Sequence, residues 1–270
     1  MIARRGSDAV GAWRLMGADE VWLERAHELA GPFAARGETV GRFVVLRGET
    51  VYLKGSPLRG KAHLRHLLRS RLLRLPLPRL AEFENLEWLR ANGFEAPRPL
   101  AAGALFGHFG PRWQYLLTER VEGAPTLREA LDAEPSRAQP LFEGLLTEVA
   151  RLHAKGFVHR DLYPRNVLVR ETEAGPRFVL LDAWRGGTRP QARGAAYDLG
   201  CLFLHAPSWL GPAETRASLD RYVKTRADLG EVIDLARLRD AVDGERRAQR
   251  QRIERKPALA RGLPLPPESW

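Results

Sequence analysis

A short polar turn between two apolar stretches contains residue types that could do chemistry. It holds Asp161 and, five positions later, Asn166, and the apolar run that follows it along the chain ends at Asp182. A carboxylate can accept the proton of an attacking hydroxyl group, whereas amide and carboxylate oxygens are ligands that suit Mg²⁺. Together, these residues predict the transfer of a phosphoryl group to a hydroxyl acceptor.

The order of residues in this turn resembles the catalytic loop of kinases. The sequence His159-Arg160-Asp161 followed by Asn166 matches the pattern H-R-D-L-x-x-x-N, in which the aspartate accepts the hydroxyl proton and the asparagine holds a metal ion. The plain alternative is a β-turn in which Asp161 caps local amides. The offset of Asn166 and the second carboxylate at Asp182 favour the kinase-like interpretation.

Elements upstream of the turn must supply the groups that bind nucleotide. A β-hairpin is predicted over residues 42–54, and it places Lys54 at the end of the second strand. A helix is predicted over residues 80–92, and Glu82 shares its inward face with leucines. A buried acidic residue needs a partner, and Lys54 is the obvious candidate.

The element pattern predicts an α+β protein with a bilobal, protein-kinase-like fold. The N-terminal lobe, residues 1–118 with an N-terminal extension, should be a small sheet with helices. The C-terminal lobe, residues 119–262, should be mainly helical, and residues 263–270 should form a tail. Hydrophobic periodicity and stop signals predict helices over 19–30 (closed by Gly31-Pro32), 61–75, 80–92, 141–155, 197–205 and 216–226.

Beyond the general kinase pattern, the sequence resembles the lipopolysaccharide core kinases, a bacterial family that phosphorylates heptose or Kdo sugars. The resemblance covers about residues 40 to 225. It is carried by Tyr52-Leu53-Lys54, Ala81-Glu82-Phe83, the stretch from Leu89 to Pro97, Leu117-Thr118-Glu119-Arg120, His159-Arg160-Asp161-Leu162-Tyr163 and Leu181-Asp182. It implies a phosphotransferase that uses ATP and Mg²⁺ and phosphorylates a sugar hydroxyl.

The resemblance also implies a role for each residue of the motifs. Lys54, held by Glu82, would neutralise the α- and β-phosphates of ATP. Asp161 would orient the acceptor hydroxyl or act as general base, and Asn166 and Asp182 would ligate Mg²⁺. The plainer alternatives are that Lys54 is a surface lysine at a strand end, that Asn166 is a turn amide and that Asp182 caps a turn.

Three further residues, Arg165, Glu119 and Asp198, are expected near the nucleotide or the catalytic loop. Kinases of serine or threonine usually carry lysine two residues after the loop aspartate, and Tyr163 stands there instead. Arg165 could supply the missing positive charge. The amino-acid composition changes over residues 119–125, which are the candidate hinge between the lobes. Glu119 in this segment is expected to contact the nucleotide, and Asp198 is expected to bond the backbone of the catalytic loop.

Several features depart from the protein-kinase pattern. The sequence lacks G-x-G-x-x-G, and Gly37 and Gly41 lie where a phosphate-covering turn should be, although ordinary turn glycines are the plainer alternative. Asp182 is followed by Ala183-Trp184, and fifteen residues separate it from Asp198. That interval is short for a phosphorylatable activation loop. The alternatives to a lipopolysaccharide kinase are a kinase of another small molecule or of protein, and a pseudokinase scaffold that binds nucleotide.

Charge and composition bound the partners. The formal net charge is +10, and the stretch from Lys54 to Arg79, both included, contains eight Lys or Arg and no acidic residue. This favours anionic partners: ATP, an anionic glycolipid or sugar acceptor, and peripheral contact with the inner membrane. A nucleic-acid partner is not expected, because charge alone supports it. In the helix over 61–75, an apolar face is predicted from the spacing of Leu64, Leu68, Leu72 and Leu75, and the rest of the helix is basic. The favoured interpretation is a lobe helix with a solvated basic face, and the alternative is contact with an anionic membrane surface or a phosphorylated glycolipid.

The expected location is cytoplasmic, with a peripheral site at the inner face of the cytoplasmic membrane. Cys201 is the single cysteine, which excludes an internal disulfide framework and fits a reducing compartment. The first residues lack the apolar core of a signal peptide, and no apolar run approaches a membrane-spanning length.

Overall fold

The computed structural model of the protein describes residues 1–72, 75–189, 194–260 and 262–268, and it leaves out the side chains of residues 62 and 69–72. The chain divides into two compact units, Met1–Glu122 and Gly123–Trp270. Within the described part of the chain, none of the helices is both long and apolar enough to span a bilayer.

The N-terminal unit is built on an antiparallel sheet of six strands. The strands are β1 (Ile2–Asp8), β2 (Gly11–Gly17), β3 (Val40–Leu46), β4 (Glu49–Pro57), β5 (Pro99–Gly107) and β6 (Gly110–Glu119). Their order in the sheet is β1-β2-β5-β6-β4-β3, and neighbouring strands in this order are hydrogen-bonded along their length. The N-terminal extension therefore forms a hairpin that widens the sheet.

Three helices, α1 (Glu20–Arg36), α2 (Gly60–Leu72) and α3 (Pro78–Ala91), accompany this sheet. Helix α1 packs on one face, where Leu23 and Ala30 join a core that includes Leu53 of β4. Successive side chains of a strand point to opposite faces, so Lys54 points away from α1. Its contact with Glu82 shows that α3 lies on that opposite face.

The predicted end of α1 at Gly31-Pro32 is wrong. Pro32 lies inside the helix, which ends at Gly37 with φ 65° and a capping bond from its N–H to Ala34. A proline removes one intrahelical hydrogen bond. Burial of Ala30 and Ala34 on either side of Pro32 keeps the helix on the sheet, so packing outweighs the local stop signal.

The leucines of the predicted apolar face of α2 are largely exposed. Leu64 and Leu68 are 57% and 47% exposed, whereas His66 is 4% exposed. The helix turns toward the start of β6, where His63 Nδ1 lies 2.8 Å from the carbonyl oxygen of Pro111. The side chain of Leu72 lies outside the described residues, and Leu75 lies beyond the end of α2.

The described part of the C-terminal unit is mainly helical and contains a two-stranded ladder. Its helices are α4 (Leu127–Ala133), α5 (Ala138–Ala154), α6 (Gly194–Leu202), α7 (Ala206–Leu210), α8 (Pro212–Asp228) and α9 (Leu235–Arg255), and its strands are β7 (Val167–Arg170) and β8 (Arg177–Leu180). Gly200 lets α6 approach α9 closely, because a Cβ there would lie 2.6 Å from Cβ of Glu245. Beyond α9, Pro266 is buried and its carbonyl oxygen accepts a hydrogen bond from Arg250.

Candidate active site

Asp161 and Asn166 are joined directly by hydrogen bonds. Nδ2 of Asn166 donates to the backbone oxygen of Asp161 at 2.8 Å and to its Oδ2 at 3.0 Å. The intervening chain makes a short 3-10 turn over Pro164–Asn166. Because the amide nitrogen of Asn166 faces Asp161, its Oδ1 is the atom that can serve a cation.

A buried carboxylate holds the loop from below. Asp198 in α6 is 0% exposed, and its two oxygens accept the backbone N–H groups of His159 and Arg160, each at 2.6 Å. His153 Nε2 lies 3.1 Å from the same carboxylate. The predicted contact between Asp198 and the loop backbone is confirmed. Arg160 has φ 63°, a conformation that is costly for a residue with a Cβ, and the bonds to Asp198 stabilise it.

Asp182 lies at the same end of the β7–β8 ladder as Asn166. Val167 pairs with Leu180 in this ladder, and the backbone N–H of Leu181 donates to the backbone oxygen of Asn166 at 2.9 Å. Asp182 has φ 61°. Such a conformation is tolerated better by aspartate than by most residues. The ladder thus brings a carboxylate and an amide oxygen together, which are hard oxygen donors that suit Mg²⁺.

Arg165 and Tyr163 complete the loop. The guanidinium of Arg165 lies over the ring of Tyr163, 4.0 Å from its centroid, and Nη2 is 3.8 Å from Oδ1 of Asp161. The hydroxyl of Tyr163 donates to Oε1 of Gln249 at 3.0 Å. Burial raises the pKa of Tyr163 and also that of the nearby Cys201 thiol. Arg165 therefore places positive charge beside Asp161.

In the N-terminal unit, Lys54 and Glu82 form the expected ion pair. Nζ of Lys54 contacts Oε1 of Glu82, and Nη1 of Arg79 lies 2.7 Å from Oε2. The side chain of Glu82 is only 1% exposed, whereas that of Lys54 is 19% exposed. These two cations compensate the charge of the buried Glu82 carboxylate, and the ion pair with Glu82 fixes the position of Lys54 on β4.

The other residues proposed to bind nucleotide do not gather in one turn. Gly37 ends α1, whereas Gly41 lies within β3 and pairs with Lys54 across the ladder. Glu119 accepts the backbone N–H of Arg98 at 2.9 Å and also contacts its guanidinium at 3.4 Å. A role for these three residues in nucleotide binding stays a prediction.

Comparison with known proteins places this site in a family. The sequence model described as "Lipopolysaccharide kinase (Kdo/WaaP) family" matches residues 21–209, more than half of the chain. The chain belongs to this family. The family predicted from the motifs is therefore confirmed, and the predicted enzyme class, a phosphotransferase, is the class of this kinase family.

Individual relatives match shorter stretches. The chain is 34% identical over 118 residues to serine/threonine-protein kinase pkn2 of Myxococcus xanthus, which covers 42% of this chain and 14% of that protein. It is 34% identical over 104 residues to 3-deoxy-D-manno-octulosonic acid kinase of Haemophilus influenzae, covering 38% and 42%. The chain thus spans less than half the length of these curated relatives.

A solved structure matches over most of the chain. The structure described as WaaP in complex with acyl carrier protein aligns with a TM-score of 0.56 and 18% identity, covering 87% of this chain and 98% of that one. At this identity the match shows the fold, and the predicted α+β protein-kinase-like fold is confirmed.

The structure adds residues to the site of this Kdo/WaaP family member that the sequence analysis missed. A cavity of about 270 Å³ in the C-terminal unit reaches Asp161 and Asp182. Its wall also includes Arg128, Arg185, Trp209 and Arg252, from four separate segments. No spacing in the sequence links these positions, because only the packing of α4, α7 and α9 brings them together.

Proposed function

We propose that this protein transfers the γ-phosphoryl group of ATP, with Mg²⁺, to a sugar hydroxyl of the lipopolysaccharide inner core, either heptose or Kdo. The observation that carries the proposal is the catalytic loop, in which Asp161 is bonded to Asn166 and anchored by Asp198. Membership of the lipopolysaccharide kinase family supports the substrate class.

Asp161 is the group that would handle the acceptor. Its Oδ2 accepts from Asn166, and its Oδ1 lies beside the guanidinium of Arg165. In our proposal the carboxylate orients the acceptor hydroxyl and takes its proton as the bond from the acceptor oxygen to the γ-phosphorus forms. The bond from the γ-phosphorus to the β–γ bridging oxygen breaks in the same step, and ADP leaves. Arg165 would stabilise the negative charge of the transferred phosphoryl group.

The donor set fits a magnesium ion. Oδ1 of Asn166 and the carboxylate of Asp182 would hold it, since both are hard oxygen ligands at one end of the β7–β8 ladder. When bound, Mg²⁺ neutralises charge on the phosphate oxygens.

The N-terminal unit contains residues that suit a nucleotide. Lys54, fixed by Glu82, would contact the α- and β-phosphates. Tyr52 lies on the same face of β4 as Lys54, because side chains two positions apart share a face. Its ring packs against exposed Phe43, with centroids 4.9 Å apart. This aromatic surface beside Lys54 would suit a purine base.

Helix α2 supports a peripheral contact with the inner face of the cytoplasmic membrane. Leu64 and Leu68 are exposed apolar residues, and Lys61 and Arg65 are exposed cations on the same helix. An apolar stripe with flanking basic residues suits an anionic bilayer surface. Sedimentation with phosphatidylglycerol vesicles should fall in the Leu64→Ser/Leu68→Ser variant, and equal binding by wild type and variant would contradict this contact.

The test of the reaction is Mg²⁺-dependent transfer from γ-labelled ATP to extracted lipopolysaccharide core, with a generic protein acceptor in parallel. Asp161→Asn should lower kcat by about 10²–10⁴-fold, the range for loss of a positioned acid–base group. Asp220→Asn is the matched control, because Asp220 is half-exposed on α8 and pairs with Arg239.

The outcomes separate the competing functions. Transfer to the glycolipid that Asp161→Asn abolishes supports the proposal. Transfer only to protein would replace the acceptor with a protein substrate. Binding of ATP without labelling of either acceptor, and without slow ATP hydrolysis, would make the protein a pseudokinase scaffold.

A further inference from the structure

The cavity beside the catalytic loop is small. It measures about 270 Å³, and Asp161 and Asp182 are among its lining residues. Ligand cavities in proteins range upward from about 300 Å³, so this one holds about one sugar ring. Part of its wall is formed by Arg252 and Ile253 of α9, with Leu259, Ala260 and Leu263. Both carboxylates of the proposed transfer therefore lie on the wall of one cavity.

The charge of the lining is predominantly positive. The cavity is lined by four arginines, Arg128, Arg165, Arg185 and Arg252, and by two aspartates. Both aspartates and Arg165 have a role in the proposed transfer, and Arg128 also pairs with Asp132 at 3.5 Å. The arginines of the lining still outnumber its two carboxylates, which favours an anionic ligand over a neutral one. Arginine presents a planar fork of donors that matches a carboxylate or a phosphate.

The histidine in this wall does not add to the positive charge. Burial and the neighbouring cations, chiefly Arg128, Arg165 and Arg246, lower the pKa of His205 to about 4. His205 is therefore neutral near pH 7 and can act as a hydrogen-bond donor or acceptor. Among the described residues of the lining, arginines supply the positive charge.

Two tryptophans provide flat apolar surfaces in the same cavity. Trp209 is fixed by a hydrogen bond from its Nε1 to Oδ1 of Asp132 at 3.1 Å. Trp184 carries the guanidinium of Arg185 over its ring at 4.9 Å. An indole face can pack against the C–H face of a pyranose ring. Flat indole faces beside a cationic wall fit a sugar that carries its own charge.

We propose that this cavity binds the terminal sugar of the acceptor and selects a sugar bearing a carboxylate or a phosphate over a neutral one. The inference rests on the proposed function and narrows its acceptor. Arg252 and Arg128 would be specificity-determining residues, because they lie on α9 and α4, outside the catalytic loop. An acidic octulosonic sugar or a phosphorylated sugar would be accepted, and an uncharged heptose would bind weakly.

The test measures binding of small probes to the protein by ligand-observed NMR. The probes are 3-deoxy-D-manno-octulosonic acid, its uncharged methyl ester, mannose 6-phosphate and mannose. Wild type should bind each charged probe at least about tenfold more tightly than its neutral match, the scale of one charge-assisted bond. Arg252→Gln and Arg128→Gln should each reduce this preference.

Arg255→Gln is the matched control, since Arg255 is exposed on the same helix and lies outside the cavity lining. It should keep the preference, and all variants should keep the affinity of wild type for Mg²⁺-ATP. Equal binding of charged and neutral probes by wild type would overturn the inference. So would an equal loss in Arg255→Gln, or a loss of ATP affinity in Arg252→Gln.

The two charged probes identify the source of the charge. Tighter binding of the octulosonic acid assigns a carboxylate and tighter binding of mannose 6-phosphate assigns a phosphate, and both results support the inference. Selective binding without any phosphoryl transfer would refute the proposed function and leave the cavity assignment standing. Transfer to a neutral heptose with unselective binding would do the reverse.

Discussion

Each unit of the molecule contains a buried carboxylate that holds a functional group, but the two carboxylates hold different things. In the N-terminal unit, Glu82 binds the side chains of Lys54 and Arg79. In the C-terminal unit, Asp198 binds backbone N–H groups of the catalytic loop. The first arrangement fixes one cation on a strand, whereas the second fixes the path of the chain itself.

The difference lies in what each arrangement depends on. The ion pair of Glu82 joins α3 to β4, so it requires the helix to pack at the correct height on the sheet. The bonds of Asp198 offset the unfavourable φ of Arg160. We therefore expect loss of Glu82 to weaken nucleotide binding, and loss of Asp198 to disorder the loop that carries Asp161.

The largest effect should come from Asp198→Asn. The amide group would direct N–H atoms at one of the two backbone donors, so a buried donor would lose its acceptor. We expect a loss of about 3–5 kcal/mol in the free energy of unfolding, measured by urea denaturation, together with loss of phosphoryl transfer. Asp220→Asn, the surface control, should change stability by less than about 1 kcal/mol. Unchanged stability and activity in Asp198→Asn would show that the loop holds its own conformation.

Glu82→Gln should come next. The variant leaves Lys54 and Arg79 without a carboxylate in a site where Glu82 is 1% exposed. We expect a loss of about 2–3 kcal/mol and an increase in KM for ATP, with a smaller change in KM for the acceptor. Glu84→Gln is the control on the exposed side of the same helix. If KM for the acceptor rose instead, the assignment of Lys54 to the nucleotide would be wrong.

A pair of glycines tests the support under Asp198. A methyl group at Gly200 would meet Glu245 of α9 at 2.6 Å, whereas nothing lies within 4 Å of a methyl group at Gly244. Gly200→Ala should cost about 1–3 kcal/mol through overpacking, and Gly244→Ala should add about 0.5–1 kcal/mol through helix propensity. Thermal unfolding measures both. Two changes of the same sign would mean that the contact between α6 and α9 does not limit stability.

The smallest effect concerns pH. The pKa of His205 is lowered by burial to about 4, below the value of about 6.5 in an unfolded chain. The unfolded state alone takes up a proton as pH falls from 6.5 to 4, so stability is lost across that window and is full above it. After allowance for solvent screening, we expect wild type to lose about 1 kcal/mol more than His205→Gln between pH 7.5 and 5.0. Equal losses in urea titrations would contradict the shift.

Sequence reasoning succeeded where a residue conflicts with its surroundings. Glu82 falls on a leucine-lined face and so requires a cation, which identified Lys54 28 positions upstream. It failed where packing decides. Pro32 stops a helix locally, but burial of alanines on either side carries α1 past it. The exposed leucines of α2 show that a repeat of apolar residues predicts a helix without saying which face the sheet will cover.

The same limit explains the cavity. The sequence motifs identified Asp161, Asn166 and Asp182 because the chemistry needs them at fixed offsets. Arg128 and Arg252 are separated by more than a hundred residues, and they meet in one wall only through the packing of α4 and α9. Residues that perform the transfer can be read from the sequence, whereas residues that choose the acceptor emerge only from the packing.

The burial of Cys201 gives the protein a built-in reporter of its own motions. The thiol is inaccessible in the native state, and its raised pKa suppresses the reactive thiolate. It lies in α6, the helix that carries Asp198. A disulfide reagent can therefore attack only when α6 opens, so the rate of thiol labelling measures how often the catalytic loop loses its anchor. The same inertness leaves a cysteine introduced on the surface as the one fast-reacting position for a fluorescent probe.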